Sequence, residues 1–243
     1  MDDVQMQILQ AVQRAPGAAR NPMAYVREAV RGFALDVLKN DIEKCQFCKH
    51  KCQTKTLPTG SDDAPLMCIM DYPTEKQAKL NKPSGIFEGD DDARMLLEHC
   101  FENTGVNMEE ILFMNTVSCC PSRAVAVQGG TEEVYRTPFQ KEIQACSTFV
   151  KYAIQIVYPP MLLIMGNVAS NVFLKEPISK ARGRWIDYYG IKAKITYSPH
   201  EVLDARGQLS NEQWAEMGRQ FRQDIEDTIT CYRRNWPNSI LFH

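Results

Sequence analysis

With 243 residues, 44% of them hydrophobic, the chain is long enough to bury a full core, and one large domain with an appendage accounts for its length. A net charge of −2 excludes the global basic field of a histone-like binder, so any nucleic-acid contact has to use a local basic surface. Nine cysteines, an odd number, argue against a secreted disulfide framework and leave metal ligation, catalysis or burial. The amino terminus, MDDVQMQILQ, is acidic and lacks a basic region followed by a long apolar run. The most apolar stretch, MLLIMG at 161–166, is too short to cross a bilayer, and the chain reads as cytoplasmic with no membrane partner.

Residues 1–40 predict a helical N-terminal extension of two segments, VQMQILQAVQRA and PMAYVREAVRGFALDVLKN. The second opens at Asn21-Pro22, a capping residue followed by a first-turn proline. Residues 41–243 then form the main domain. Cys45 and Cys48 come first, followed by the turn-rich loop TLPTGSDDAP. From residue 66 short apolar runs alternate with amphipathic segments: LMCIM, the helix DARMLLEHCFENTG, ILFMNTV, the long helix FQKEIQACSTFVKYAIQIV, MLLIMG, VASNVFLK and IKAKITY. That alternation predicts an α/β fold, a three-layer sandwich whose central sheet is mostly parallel and covered on both faces. A last amphipathic helix occupies about 211–234.

Sites collect at the carboxyl ends of such strands. There LMCIM runs into Asp71-Tyr72-Pro73, ILFM into Asn115, MLLIM into Gly166, and IKAKITY into Ser198-Pro199-His200. The acidic run Glu88-Gly89-Asp90-Asp91-Asp92 favours the amino terminus of the following helix. The pair Cys45-Gln46-Phe47-Cys48 can turn both sulfurs toward one metal centre, and two more cysteines would complete four thiolates for zinc or an iron–sulfur cluster. Candidates for completion are Cys119 or Cys120 and Cys146, while Cys52, Cys68, Cys100 and Cys231 read as ordinary buried thiols.

The pieces also have an order. CxxC is followed by a strand ending in a carboxylate and proline, then Asn115-x-Val117-x-Cys119-x-Pro121, Arg136-x-Pro138 with Glu142 and Cys146, Gly166-x-x-Ala169, Arg182-Gly183-x-Trp185, and a strand ending near His200. Over roughly residues 45–205 this resembles the iron–sulfur branch of the uracil-DNA glycosylase superfamily, often called family four. The resemblance places Cys45, Cys48, Cys119 and Cys146 on four ligand positions of a 4Fe-4S cluster with a structural role, zinc being the alternative. It implies that Asp71 aligns water, one methylene shorter than the family's glutamate and without its flanking glycines, with Tyr72 beside it at the substrate. Asn115 would read the base and Phe87 would stack on it.

Ser198 stands where the family has histidine, so Ser198 or His200 would act at the leaving base. The longer segment SRAVAVQGGTEEVYR carries Arg123 and leads to Arg136, which with Arg182 and Arg184 would contact the DNA backbone. The implied activity is a DNA glycosylase that flips out and hydrolyses a uracil-like or modified pyrimidine. The alternative is a weak or inactive protein of the same fold that binds DNA, or a replication or repair partner through its N-terminal helices.

Overall fold

The computed structural model describes residues 22–48, 54–102 and 104–242. The expected helix VQMQILQAVQRA and Cys52 lie outside the described residues. Residues Pro22–Lys44 form one helix, α1, so the expected boundary at residue 40 falls inside an element. Leu35, Leu38 and Ile42, spaced to share one helical face, are buried against the main body.

Along the chain follow β1 (Thr56–Leu57), β2 (Leu66–Met70), α2 (Glu75–Ala78), β3 (Ser84–Gly85), α3 (Asp91–Glu102) and β4 (Ile111–Asn115). Next come β5 (Ser122–Val127), β6 (Gly130–Tyr135), α4 (Gln140–Val157), β7 (Met161–Met165), α5 (Asn167–Leu174) and α6 (Ile178–Ala181). The chain closes with β8 (Trp185–Tyr188), β9 (Ile191–Thr196), α7 (Pro199–Asp204) and α8 (Asn211–Asn235). The central sheet has the order β4-β2-β7-β9-β8, parallel throughout except for the antiparallel edge strand β8.

The strands β2, β4 and β7 are buried on both faces, which is why they read as unbroken apolar runs. Their period of two divides the core. Met67, Ile69, Leu112, Met114, Leu162 and Ile164 meet Leu35 of α1 and Val150 and Ile154 of α4. Leu66, Cys68, Ile111, Phe113 and Leu163 meet Leu97 and Phe101 of α3 and Phe221 and Ile225 of α8. β9 alternates: Ile191, Ala193 and Ile195 join the first cluster, whereas Lys194 is buried on the other face beside Asp224 of α8 at 3.6 Å and Asp227 at 3.1 Å.

The longer segment SRAVAVQGGTEEVYR is an antiparallel hairpin, β5–β6, with Ser122 paired to Tyr135 and a turn through Gln128-Gly129. Neither face is buried, so no apolar run announced it. Two short strands, β1 and β3, pair in parallel beside the sheet, and the backbone N–H of Thr56 donates to Ser118 O at 2.8 Å.

Connections decide where a crevice opens. The chain leaves β2 for α2 and α3 on one face and leaves β7 for α5 on the other, so the carboxyl ends of these neighbouring strands flank the topological switch point.

Candidate active site

Asp71 follows β2 and Gly166 follows β7, which puts both at that switch point. The Asp71 carboxylate accepts the backbone N–H of Ala169, in the first turn of α5, at 2.8 Å. Gly166 makes the approach feasible: its φ is +104°, and a Cβ there would stand 2.4–2.5 Å from the carboxyl atoms of Asp71. Removal from water pushes the Asp71 carboxyl up to about 7, the N–H groups of α5 opposing the rise and the Glu201 carboxylate adding to it. The Asp71 backbone is fixed from below, since Val117 N–H donates to its carbonyl at 2.9 Å.

A cleft of about 650 Å³ opens over this point. Tyr72, Lys76, Asn167, Ser198 and His200 line it together with the carboxylates of Asp71, Glu75, Asp90, Asp92, Glu201 and Asp204. Burial and the neighbouring Asp71 raise the Tyr72 hydroxyl, and its ring packs against Val117, Ile143 and Val168. Lys76 is paired with Asp92 at 2.7 Å. Ser198 is the N-cap of α7: its hydroxyl accepts Glu201 N–H at 3.0 Å while the Glu201 carboxylate accepts Ser198 N–H at 2.8 Å. The Ser198 side chain also hydrogen-bonds the Glu201 carboxylate, so its hydroxyl is engaged within the cap. In the first turn of α7, His200 Nε2 lies 2.5 Å from Asp90 Oδ2.

The cleft thus gathers Asp71, Tyr72, Ser198 and His200. Two other expected substrate residues sit apart from that lining. Asn115 is buried at the end of β4, its amide donating to Thr56 Oγ1 at 2.9 Å. Phe87 makes an edge contact with Phe113, ring centroids 4.9 Å apart. Of the four arginines, Arg123 is exposed on β5. Arg136 forms a two-pronged pair with Glu142 at 2.7–2.8 Å and lies over the Phe139 ring, bracing the start of α4. Arg182 pairs with Asp224 at 3.1 Å and Arg184 with Glu176 at 2.7 Å.

The four expected ligand cysteines share a second hollow. Cys45, Cys48, Cys119 and Cys146 line a cavity of about 400 Å³ with Lys55, Val117 and Phe149, while Cys120 is not part of that lining. Lys55 Nζ donates to Cys119 Sγ at 3.2 Å and to Cys45 O at 2.9 Å, and Ser118 N–H donates to Cys146 Sγ at 3.4 Å. Burial pushes the Cys146 thiol up to about 12, with Cys119, Cys45 and Cys48 adding to the rise against the Ser118 N–H. Among the described residues no group of three or more His, Cys, Asp or Glu side chains closes around a single ion.

Gly166, Asp90, Glu201 and Lys55 were not singled out as site residues in the sequence. Gly166 was visible as a strand end, but its partner lies 95 residues earlier. Lys55 sits in a polar loop with no pattern to distinguish it.

Fold and site together define a three-layer α/β protein with a carboxylate at the switch point of its sheet and a four-cysteine hollow behind it. Residues 58–222, more than half of the chain, match the family described as the Uracil DNA glycosylase superfamily, and the chain belongs to that superfamily. It is 29% identical over 208 residues to the type-4 uracil-DNA glycosylase of Thermotoga maritima, covering 83% of this chain and 94% of that protein. It is 27% identical to the type-4 uracil-DNA glycosylase of Saccharolobus solfataricus, over 70% of this chain and 77% of the relative. A third such enzyme, from Sulfurisphaera tokodaii, is 25% identical over 70% and 76% of the two chains. Among the described residues no helix is long and apolar enough to cross a membrane.

Proposed function

We propose that the chain is a DNA glycosylase that flips a uracil-like or modified pyrimidine out of the stack and hydrolyses its N-glycosidic bond. The Asp71 carboxylate, held at the switch point by the first turn of α5 and open to the cleft, carries this reading. A new bond forms between a water oxygen and C1′ as the C1′–N bond breaks, and its electron pair leaves with the base. Asp71 orients that water and offsets the positive charge that grows on the sugar. Ser198 or His200 donates to the base as negative charge develops on it. Tyr72 borders the base, whereas Asn115 and Phe87, which lie outside the cleft lining, would have to leave Thr56 and Phe113 to read it and stack on it. Arg123, exposed on β5 and in no ion pair among the described residues, supplies a cation for the DNA backbone, whereas Arg136, Arg182 and Arg184 would have to share the acidic partners they hold.

The cleft lining discriminates among modified bases by charge. Six carboxylates against Lys76 and His200 disfavour an anionic substituent and suit a neutral or cationic one. The reading as a non-cutting DNA binder draws on Ser198, whose hydroxyl already serves α7 as a cap.

Cys45, Cys48, Cys119 and Cys146 fit a 4Fe-4S cluster: they share one hollow, hydrogen bonds reach two of the sulfurs, and Lys55 supplies positive charge beside them. Bound there, a cluster would tie α1 to β4 and α4; hydrolysis asks no electrons of it. Visible thiolate-to-iron absorption in anaerobically purified protein separates this from zinc, which is colourless.

The deciding experiment is base release, read by mass spectrometry, from DNAs containing uracil or pyrimidines with hydroxymethyl, aminomethyl or carboxyl groups at C5. Release of a base, with the carboxyl form cut worst, is the expected outcome. Intact DNA across the panel by protein that holds its cluster would sink the glycosylase reading in favour of the DNA binder.

A further inference from the structure

We propose that Asp90 is a positioning residue of the cleft, fixing the ring and tautomer of His200 so that this histidine takes over the task that the resemblance assigns to an imidazole at position 198. The assignment rests on the glycosylase reading for its catalytic meaning, though not for its geometry.

Asp90 immediately precedes α3, and its side chain is only 6% exposed. Residues at that position often cap their own helix. Here the carboxylate meets His200 Nε2 at 2.5 Å, while Asp91 and Asp92 place acidic charge in the first turn of α3. The contact spans 110 residues and ties α3 to α7 across the cleft that both residues line with Asp71 and Ser198. The nearby cation Lys76 is held by Asp92 at 2.7 Å.

A carboxylate can only accept, so the ring nitrogen facing it carries hydrogen. Nε2–H is therefore fixed toward Asp90, and Nδ1 donates to the departing base when the ring carries its second proton, the imidazolium form that the Asp90 carboxylate pairs with. A buried carboxylate that selects tautomer and ring angle in this manner makes a histidine usable for proton work without touching substrate itself. The loss of histidine at position 198 is thus answered from the next residue but one, provided α3 supplies the partner.

Asp90→Asn is the test, because an amide can present N–H to Nε2 and select the opposite tautomer. In full-length protein, ¹⁵N-resolved NMR of the His200 ring should show Nε2–H in the wild type and Nδ1–H in the variant. Single-turnover release from whichever DNA of the panel is cut should fall by about 10²-fold, with little change in KM. Asp90→Glu should restore the tautomer and part of the rate. In a His200→Ala background, Asp90→Asn should have no further effect on rate. A wild-type ring bonded through Nδ1, or an unchanged tautomer and rate in a folded Asp90→Asn protein, overturns the proposal. The NMR arm needs no cleavage, so a wild type that releases no base defeats the glycosylase reading separately.

Discussion

Asp71 owes its surroundings to one glycine. A Cβ at Gly166 would fall 2.4–2.5 Å from the Asp71 carboxyl group, and the backbone there has φ +104°. Gly166→Ala therefore strains the turn and drives the carboxylate off α5. It should cost more than about 1 kcal/mol in a thermal or denaturant melt and reduce base release about as far as Asp71→Ala does. A melt and rate close to wild type would show that the carboxylate does not depend on this approach. Desolvation gives Asp71 a second signature. With its carboxyl pushed from the ordinary 3.8 up to about 7, the charged form that orients water fills as pH rises through about 7. Single-turnover base release should rise over that window, and Asp71→Asn should remove the limb and cost roughly 10²–10⁴-fold. A limb that survives in Asp71→Asn belongs to another group. Stability runs the opposite way: a raised acid favours folding fully below about 4 and loses that contribution as pH climbs toward 7. Asp71→Asn should thus gain stability over the wild type at pH 8 relative to pH 4.

The hairpin β5–β6 stands on the carboxyl rim between Cys120-Pro121 and Thr137, closed at its base by Ser122 opposite Tyr135 and by Arg136 N–H on Pro121 O at 2.9 Å. Its exposed faces make it dispensable for the core and available to a partner. Replacing residues 123–134 by a tight Asn-Gly turn should change stability by less than about 1 kcal/mol. Arg123→Ala alone should lower the slope of log K against log salt for DNA binding by about 1, the effect of one lost phosphate contact. An unaltered slope would take the hairpin out of the DNA interface. Elements differed in how legible they were for the same reason. Strands β2, β4 and β7 are buried on both faces and read as apolar runs, but β5, β6 and the edge strand β8 bury little and alternate only weakly. The Gly129-Gly130 pair after the alternating segment SRAVAV was the one local sign of a hairpin. At the site, strand ends were legible because turn residues follow apolar runs. The contacts Asp90–His200 and Asn115–Thr56 were not, since they join positions 110 and 59 residues apart through the packing of separate elements.

At the scale of the molecule the two hollows share a wall. Val117, Ile143, Cys146 and Val168 form a small cluster against which Tyr72 packs, with the cleft on one side and the four cysteines on the other. The cysteines come from three places: just beyond α1, the loop after β4, and the middle of α4. A metal centre there would act as a cross-link, and the buried thiols would bind it as thiolates and release their protons to solvent, coupling metal binding to folding. The sheet does not depend on that link, because Leu35, Leu38 and Ile42 already hold α1 on Val150, Ala153 and Ile154. Cys146→Ala should therefore leave the domain folded at low temperature while lowering its melting midpoint. Amide hydrogen exchange should quicken at residues 42–48, where the chain leaves α1, more than in β2 and β7. Base release per folded molecule should fall far less than in Asp71→Asn, since the first turn of α5 still holds Asp71. If instead the folded variant loses release as completely as Asp71→Asn, with exchange at 42–48 unchanged, then the cysteine centre reaches the cleft through Tyr72 and Val168 and is part of the chemistry, and a purely structural cross-link is ruled out.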